Sequence, residues 1–336
     1  MKPFIDRGPS QSAREAMAEA GQSGEEEKFK LVVEAEAALS KAAGRGSGEL
    51  VGSGGEAIEA VLSQVEGPVL LPDQGIWAGT PKTCKKLGTP FQYFKTTLGL
   101  IDPETLGGAI DAAAAKTVFI TSLAGYMAEQ DVKAVSEVCK SRGAVLVVDA
   151  SPTIGGWKPG EYGRADIVLG SAREPKLLNL PGGGFITSDD QGFMELMRGV
   201  NHCTPDPVVC AGISGALRDA GDTFSGLIRV SDKLKSRLSA GVIHKDQRGV
   251  SVGVLCGGPK TLAKMARQMG LVTETGRSLL STCPRYDRFL EPGVVVELKK
   301  LDPDFVSSVE LEQISSVLSE LGMSLSDYAE GQKSDE

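Results

Sequence analysis

Ala144-Val145-Leu146-Val147-Val148-Asp149-Ala150 and, with its lysine 27 residues beyond that aspartate, Gly170-Ser171-Ala172-Arg173-Glu174-Pro175-Lys176 are the stretches that decide the fold. The first is a short apolar run closed by an acid, the pattern of a strand buried on both faces. The second places a lysine in the loop after a later strand, Ile167–Leu169, just ahead of Gly182-Gly183-Gly184.

Working outward, short apolar runs alternate with amphipathic helical stretches. Strands are predicted at Val69–Leu71, Phe91–Phe94, Val118–Thr121, Ala144–Val148, Ile167–Leu169 and Gly184–Thr187. Helices are predicted at Glu56–Leu62, Pro81–Leu87, Pro103–Ala115 and Glu129–Arg142, the last closed by Gly143. An earlier helix, Lys28–Ala43, carries Phe29, Val32, Val33, Leu39 and Ala43 on one face and stops at Gly44. This alternation predicts an α/β fold with a mostly parallel sheet covered on both sides. After about residue 190 the pattern changes. Helical stretches (Phe193–Met197, Ile213–Leu238, Pro259–Met269, Asp304–Leu321) then flank only two strands, Val250–Cys256 and Val294–Leu298. The expected division is an N-terminal arm and helix (1–43), a large domain (44–235), a small α+β domain (236–330) and a charged, disordered tail (331–336). Residues 1–24 read as a mobile or partner-draped arm.

Composition limits the function classes. A chain of 336 residues, 41% apolar and 24% charged, can bury a sizeable core. A net charge of −8 lacks the basic footprint of a nucleic-acid binder. No apolar run is long enough to span a bilayer and no secretory core opens the chain, so a cytoplasmic location is expected. The six cysteines form no CxxC pair and read as reduced thiols. His202, Cys203 and Cys210 match no standard metal spacing, and no metal is expected.

An acid at a strand end and a lysine in a later loop are what a pyridoxal phosphate (PLP) site requires. Lys176 would hold the cofactor aldehyde as a Schiff base. Asp149 would keep the pyridine nitrogen protonated, so that the ring accepts electrons from the substrate. Lys158 is the rival lysine, but it follows Asp149 by nine residues with no intervening strand to return it to the site. Ser53-Gly54-Gly55 opens a helix, where free backbone N–H groups and the helix dipole suit a phosphate. It is not the GxGxxG dinucleotide fingerprint. Trp77 offers a face to stack on the pyridine. Ser151 and Ser171 are hydroxyl donors near the cofactor, and Arg173 is a candidate for phosphate or substrate carboxylate.

With these motifs in order, the region from about Gly44 to Asp190 resembles the fold-type I PLP-dependent enzymes, the aspartate aminotransferase superfamily. It is closest in layout to the DegT/DnrJ/EryC1/StrS aminotransferases and to the selenocysteine synthase and cysteine desulfurase branches. The superfamily's Ser-Gly-Thr phosphate turn looks like Ser53-Gly54-Gly55. Its Asp-Ala strand end is similar to Asp149-Ala150, and its Ser-x-x-x-x-Lys to Ser171–Lys176. Two departures stand out. Arg173 replaces the histidine that many DegT-like members carry three residues before the lysine. The late strand Val294–Leu298 holds Glu297 where many aminotransferases hold an arginine, and Arg277, Arg285 and Arg288 lie before it outside a recognisable frame. The resemblance implies a homodimer with the site at the subunit interface.

The resulting expectation is a PLP-dependent transferase acting on a small amino substrate, with an aminotransferase favoured. The alternatives are a lyase or transferase of the selenocysteine/cysteine synthase or cysteine desulfurase type, with Cys283 as the best-placed nucleophile, and a non-catalytic PLP-fold binding protein. A tRNA substrate is disfavoured by the charge.

Overall fold

Four- and five-residue runs of Val, Ile, Leu and Phe cannot bury both faces alone, so they align in a sheet and draw amphipathic helices over it. The computed structural model of the chain describes residues 2–333, with the side chains of residue 25 and residues 322–333 excepted. The chain opens with α1 (Gln11–Ala20), capped by Ser10, and α2 (Glu25–Ala43), ended by Gly44 in the left-handed conformation. β1 (Ser47–Val51) leads through Ser53 into α3 (Gly54–Gln64). Next come β2 (Val69–Pro72), α4 (Gly79–Leu87), β3 (Phe91–Phe94), α5 (Pro103–Ala113) and β4 (Thr117–Thr121). The short pair β5 (Leu123–Ala124) and β6 (Ala128–Glu129) precedes α6 (Val132–Ser141), β7 (Val145–Asp149), β8 (Ile167–Ser171), β9 (Gly184–Ser188) and α7 (Gln191–Gly199). The long α8 (Pro207–Arg237) is followed by β10 (Val252–Leu255), α9 (Pro259–Gln268), β11 (Leu280–Cys283), β12 (Gly293–Val296) and α10 (Ser308–Lys333). Of the tail expected at 331–336, residues 334–336 lie outside the described residues.

The large sheet has seven strands in the order β1-β9-β8-β7-β4-β2-β3. β8, β7, β4, β2 and β3 are parallel, while β9 and β1 run antiparallel to their neighbours. The mostly parallel α/β sheet expected from the sequence is borne out. Thr121 pairs with Asp149, and Asp149 with Leu169, so β4, β7 and β8 end at one rim of the sheet. That rim is where open α/β sheets bind ligands. The second sheet, β10-β12-β11, is antiparallel and shares a core with α9 and α10 through Val252, Val294, Val296, Leu262 and Leu311. Among the described residues no helix is long and apolar enough to cross a membrane.

Several expectations are corrected. Residues 4–20 are not a loose arm. Phe4 is buried and bonds Val272 and Glu274 backbone groups, and Ser12 bonds both oxygens of Asp219 on α8. Small residues let α1 lie close on α8: an added Cβ at Gly215 would sit 2.4 Å from the Ser12 carbonyl oxygen. On α2, Leu39 and Ala43 are buried but Phe29 and Val33 are 72% and 49% exposed. At 100° per residue these two lie roughly 80–120° from the stripe of Ala35, Leu39 and Ala43, so they miss the face that packs on α8. β1 and β11 escaped the sequence reading, since Ser47-Gly48-Glu49 and Ser281-Thr282 break the apolar runs.

Candidate active site

The nine residues assigned to the cofactor from the sequence all reach one cavity of about 530 Å³ beyond the rim of β4, β7 and β8: Ser53, Gly54, Gly55, Trp77, Asp149, Ser151, Ser171, Arg173 and Lys176. Six loops or strand ends supply them, and the small sheet closes the opposite wall.

Asp149 is held through its backbone and its side chain. Its carbonyl accepts bonds from Ser122 N (3.0 Å) and Ser122 Oγ (3.1 Å). Its carboxylate accepts from Ser151 N (2.9 Å) and Ser151 Oγ (2.5 Å), and both bonds end on Oδ1. Among the described residues no hydrogen bond reaches Oδ2. Burial pushes the Asp149 carboxyl above its usual range, while the Ser151 bonds and the nearby Lys176 charge pull it down. A cationic N–H donor in the cavity would complete the carboxylate. Ser151 also accepts from Ser171 N (2.8 Å), which ties the ends of β7 and β8 together. Its proton is committed to Asp149, so Ser151 acts through the acid rather than donating into the cavity.

The Ser53-Gly54-Gly55 turn is placed by close packing. Ser53 Oγ caps α3 by accepting from Glu56 N (3.2 Å). A Cβ on Gly54 would lie 2.5 Å from Ser171 Cβ, and one on Gly184 2.3 Å from the Ser53 carbonyl carbon. Glycine at both positions lets the start of α3 meet the end of β8 and the start of β9. The first N–H groups of a helix have no intrahelical partner, so this turn presents donors to the cavity. Arg173 is exposed at the rim and has no carboxylate partner among the described residues. Trp77 lies beside the turn, with its ring edge 3.6 Å from an added Cβ on Gly55, and is 46% exposed. Lys158 is exposed on the loop after β7 and does not line the cavity.

The wall built around the second sheet carries residues to which the sequence assigns no role. Glu297 accepts from Arg288 Nε (2.9 Å) and Nη2 (3.1 Å) and from Lys299 Nζ, and all three side chains are buried. Arg288 also meets Asp287 at 3.5 Å. Burial holds the Lys299 amine down at about 7, helped by the neighbouring Arg288 charge and opposed by Glu297. Tyr126 sits at the centre of these cations, its ring centroid 3.9 Å from Lys299 Nζ, 5.1 Å from Arg288 Cζ and 5.9 Å from Lys176 Nζ. Its backbone has φ 71°, a strained value for tyrosine, and is held there by Val250 and Ser251 N–H groups on its carbonyl. Two signals could have exposed this wall. Glu297 and Lys299 stand two apart at a strand end, and Tyr126 follows a glycine just past β4. None of the six cysteines lines the cavity. Cys283 is buried and its thiol is pushed up to about 11.

Fold and cavity together define the class, a fold-type I PLP-dependent enzyme. The DegT/DnrJ/EryC1/StrS aminotransferase family matches residues 10–208, and the chain belongs to that family. The MJ1341 family C-terminal domain matches residues 221–319. A sequence comparison with curated proteins gave no match. Solved structures are similar over nearly the whole chain. Alanine–glyoxylate aminotransferase from Nostoc sp. has 15% identity and a TM-score of 0.72, covering 96% of both chains. A serine palmitoyltransferase variant from S. paucimobilis, with a bound PLP–myriocin aldimine, has 14% identity and a TM-score of 0.73, covering 96% of this chain and 87% of that one. Cysteine desulfurase from Thermococcus onnurineus has 14% identity and a TM-score of 0.71, covering 96% and 95%. At these identities the likeness is one of fold. PLP is the cofactor of the family. The residues here fit it: a glycine turn at a helix start for the phosphate, an incompletely bonded buried acid for the ring nitrogen, and a lysine amine in the same cavity.

Proposed function

We propose that this chain is an aminotransferase for a small amino-acid substrate, with Lys176 as the cofactor lysine. The observation that carries the reading is Asp149, doubly bonded by Ser151 at one oxygen, in the same cavity as the Lys176 amine. Bound PLP supplies an electron sink at the substrate Cα. In this reading Asp149 Oδ2 accepts the ring N–H, and Ser151 keeps the carboxylate oriented. The Gly54 and Gly55 N–H groups, Ser53, Ser171 and Arg173 take the phosphate, and Trp77 covers one ring face. The Lys176 amine would serve as the base that takes the substrate α-proton at Nζ. Tyr126 packs beside that amine and holds its position. Arg288, Lys299 and Arg285 line the facing wall and seat the substrate carboxylate. This cationic wall favours an amino acid over a neutral amine.

Transamination is favoured over desulfuration because desulfuration needs a reactive cysteine at the cavity. The proposal includes a division into a large domain (44–235) and a small domain (236–330), and a homodimer. Sedimentation would test the dimer.

The deciding experiment is the visible spectrum of the purified protein with PLP, before and after borohydride, for wild type and Lys176→Ala. A violet-region band in wild type that borohydride traps on Lys176 supports the reading. Trapping on Lys299, or an unchanged trapped product in Lys176→Ala, refutes the assignment. An amino-acid panel read on the same band then identifies the substrate.

A further inference from the structure

The segment ahead of α1 makes a connection that the cofactor chemistry leaves unexplained. We propose that Arg7 is a positioning residue that clamps the backbone of Lys176 to that of Lys299, making the N-terminal segment part of the active-site architecture. The proposal rests on the reading of Lys176 as the cofactor lysine.

The Arg7 guanidinium reaches both walls of the cavity. Nη2 donates to the Lys176 carbonyl (2.5 Å), Nη1 to the Leu177 carbonyl (2.7 Å) and Nε to the Lys299 carbonyl (3.1 Å). Its own N–H donates to the Lys300 carbonyl (2.7 Å), and its carbonyl accepts from Asn179 Nδ2 (2.6 Å). One residue therefore joins the lysine loop after β8 to the chain leaving β12. The two lysine carbonyls meet on Arg7, while the two lysine amines meet on the Tyr126 ring.

The choice of arginine follows from geometry. A planar fork serves two successive carbonyls and a third one from three separate, fixed nitrogens, whereas a lysine ammonium would have to reach all three from one. Arg7 has no carboxylate within ion-pair distance among the described residues; burial lowers its pKa, and the more distant Asp302 charge opposes that shift. Placing a desolvated cation on neutral acceptors is costly, and the charge-assisted bonds offset that cost. The segment is fixed on both sides. Before Arg7, Asp6 Oδ2 accepts from Thr275 N (3.2 Å) and Oγ1 (2.6 Å). Beyond it, Ser12 bonds Asp219 on α8. Arg7 cannot shift without moving one of these anchors. The lysine loop and the cationic wall therefore keep a fixed separation.

The test compares wild type, Arg7→Ala and Arg7→Lys. In the holoenzyme, Arg7→Ala should lower kcat about 10- to 100-fold, the scale of a misplacement near 1 Å. KM should change far less, and the pH midpoint of the cofactor band should move. Arg7→Lys should fail to restore either, and added ethylguanidinium should restore part of both in Arg7→Ala. In the cofactor-free protein, amide hydrogen exchange in Arg7→Ala should quicken over 174–180 and 297–301 together and stay unchanged over 145–149. A variant with wild-type kcat and pH midpoint, or one restored by lysine, overturns the proposal. So does a melting-point drop without any change in the titration. If wild type shows no cofactor band, the enzymatic reading has failed. The exchange comparison then still decides the clamp, because unchanged exchange in either segment refutes it.

Discussion

Replacing Glu297 with glutamine should expose how the cationic wall is held. Glu297 is the one carboxylate that Arg288 and Lys299 share, through Arg288 Nε (2.9 Å), Arg288 Nη2 (3.1 Å) and Lys299 Nζ. The three side chains are 1%, 8% and 3% exposed, so solvent cannot replace the lost charge. Gln keeps one acceptor oxygen but turns the other into a donor facing a cation. Arg288 retains Asp287 at 3.5 Å, and Lys299 retains the Tyr126 ring face at 3.9 Å. Removing one partner of a buried ion pair costs about 3–5 kcal/mol, and the remaining Asp287 contact argues for the lower half of that range. Urea unfolding followed by circular dichroism measures it as a shift in midpoint at constant slope. Adding Lys299→Met should recover most of the loss, because an apolar side chain there leaves Arg288 alone with Asp287. The same pair has a pH signature. The native Lys299 amine titrates near 7 against 10.5 for a free lysine, so between those values the unfolded chain binds more protons. This group's contribution therefore rises with pH from about 7 to about 10.5, and its burial penalty is fully present below about 7. Lys299→Met should flatten that rise. A Glu297→Gln variant within about 1 kcal/mol of wild type, or an unchanged pH slope in Lys299→Met, would refute the shared-carboxylate account.

Asp149→Asn should raise the melting temperature of the cofactor-free protein at neutral pH while weakening PLP binding. Burial raises the native Asp149 pKa, so ionising it as pH rises through that value costs stability, and Asn can still accept both Ser151 bonds. A less stable cofactor-free variant would contradict this. Gly54→Ala drives a methyl to 2.5 Å from Ser171 Cβ and should sharply reduce PLP affinity, with an overpacking cost of about 1–3 kcal/mol. PLP titration and thermal melts would check both. Thiol labelling of the native protein should modify Cys203 first, because it is exposed, whereas Cys84, Cys139, Cys210 and Cys283 are buried with thiols pushed up to about 11 or 12. Cys283→Ser should leave turnover unchanged, and a loss of turnover with an intact cofactor band would revive the desulfurase reading.

The central strands were legible because Val118–Thr121 and Ala144–Val148 are buried on both faces, and such strands must read as unbroken apolar runs. β1 was not, because an antiparallel edge strand has one face to cover and needs no such run. Phe29 and Val33 misled for the opposite reason. Their spacing is helical, but the stripe that α2 buries is set by where α8 passes.

By itself the sequence determined the alternating α/β order, the acid at the end of β7, the lysine after β8 and the glycine turn before α3. Each of these is local, since strand ends, loops and helix starts fix which residues lie at the sheet rim. Only the tertiary structure decided what faces them. Glu297, Arg288 and Lys299 come from a second sheet, Tyr126 from a strained turn, and Arg7 from the start of the chain, 169 residues before Lys176. Their charges mean little along the sequence. Glu297, Arg288 and Lys299 gain their effect from being buried together, where the low dielectric strengthens the interactions among them.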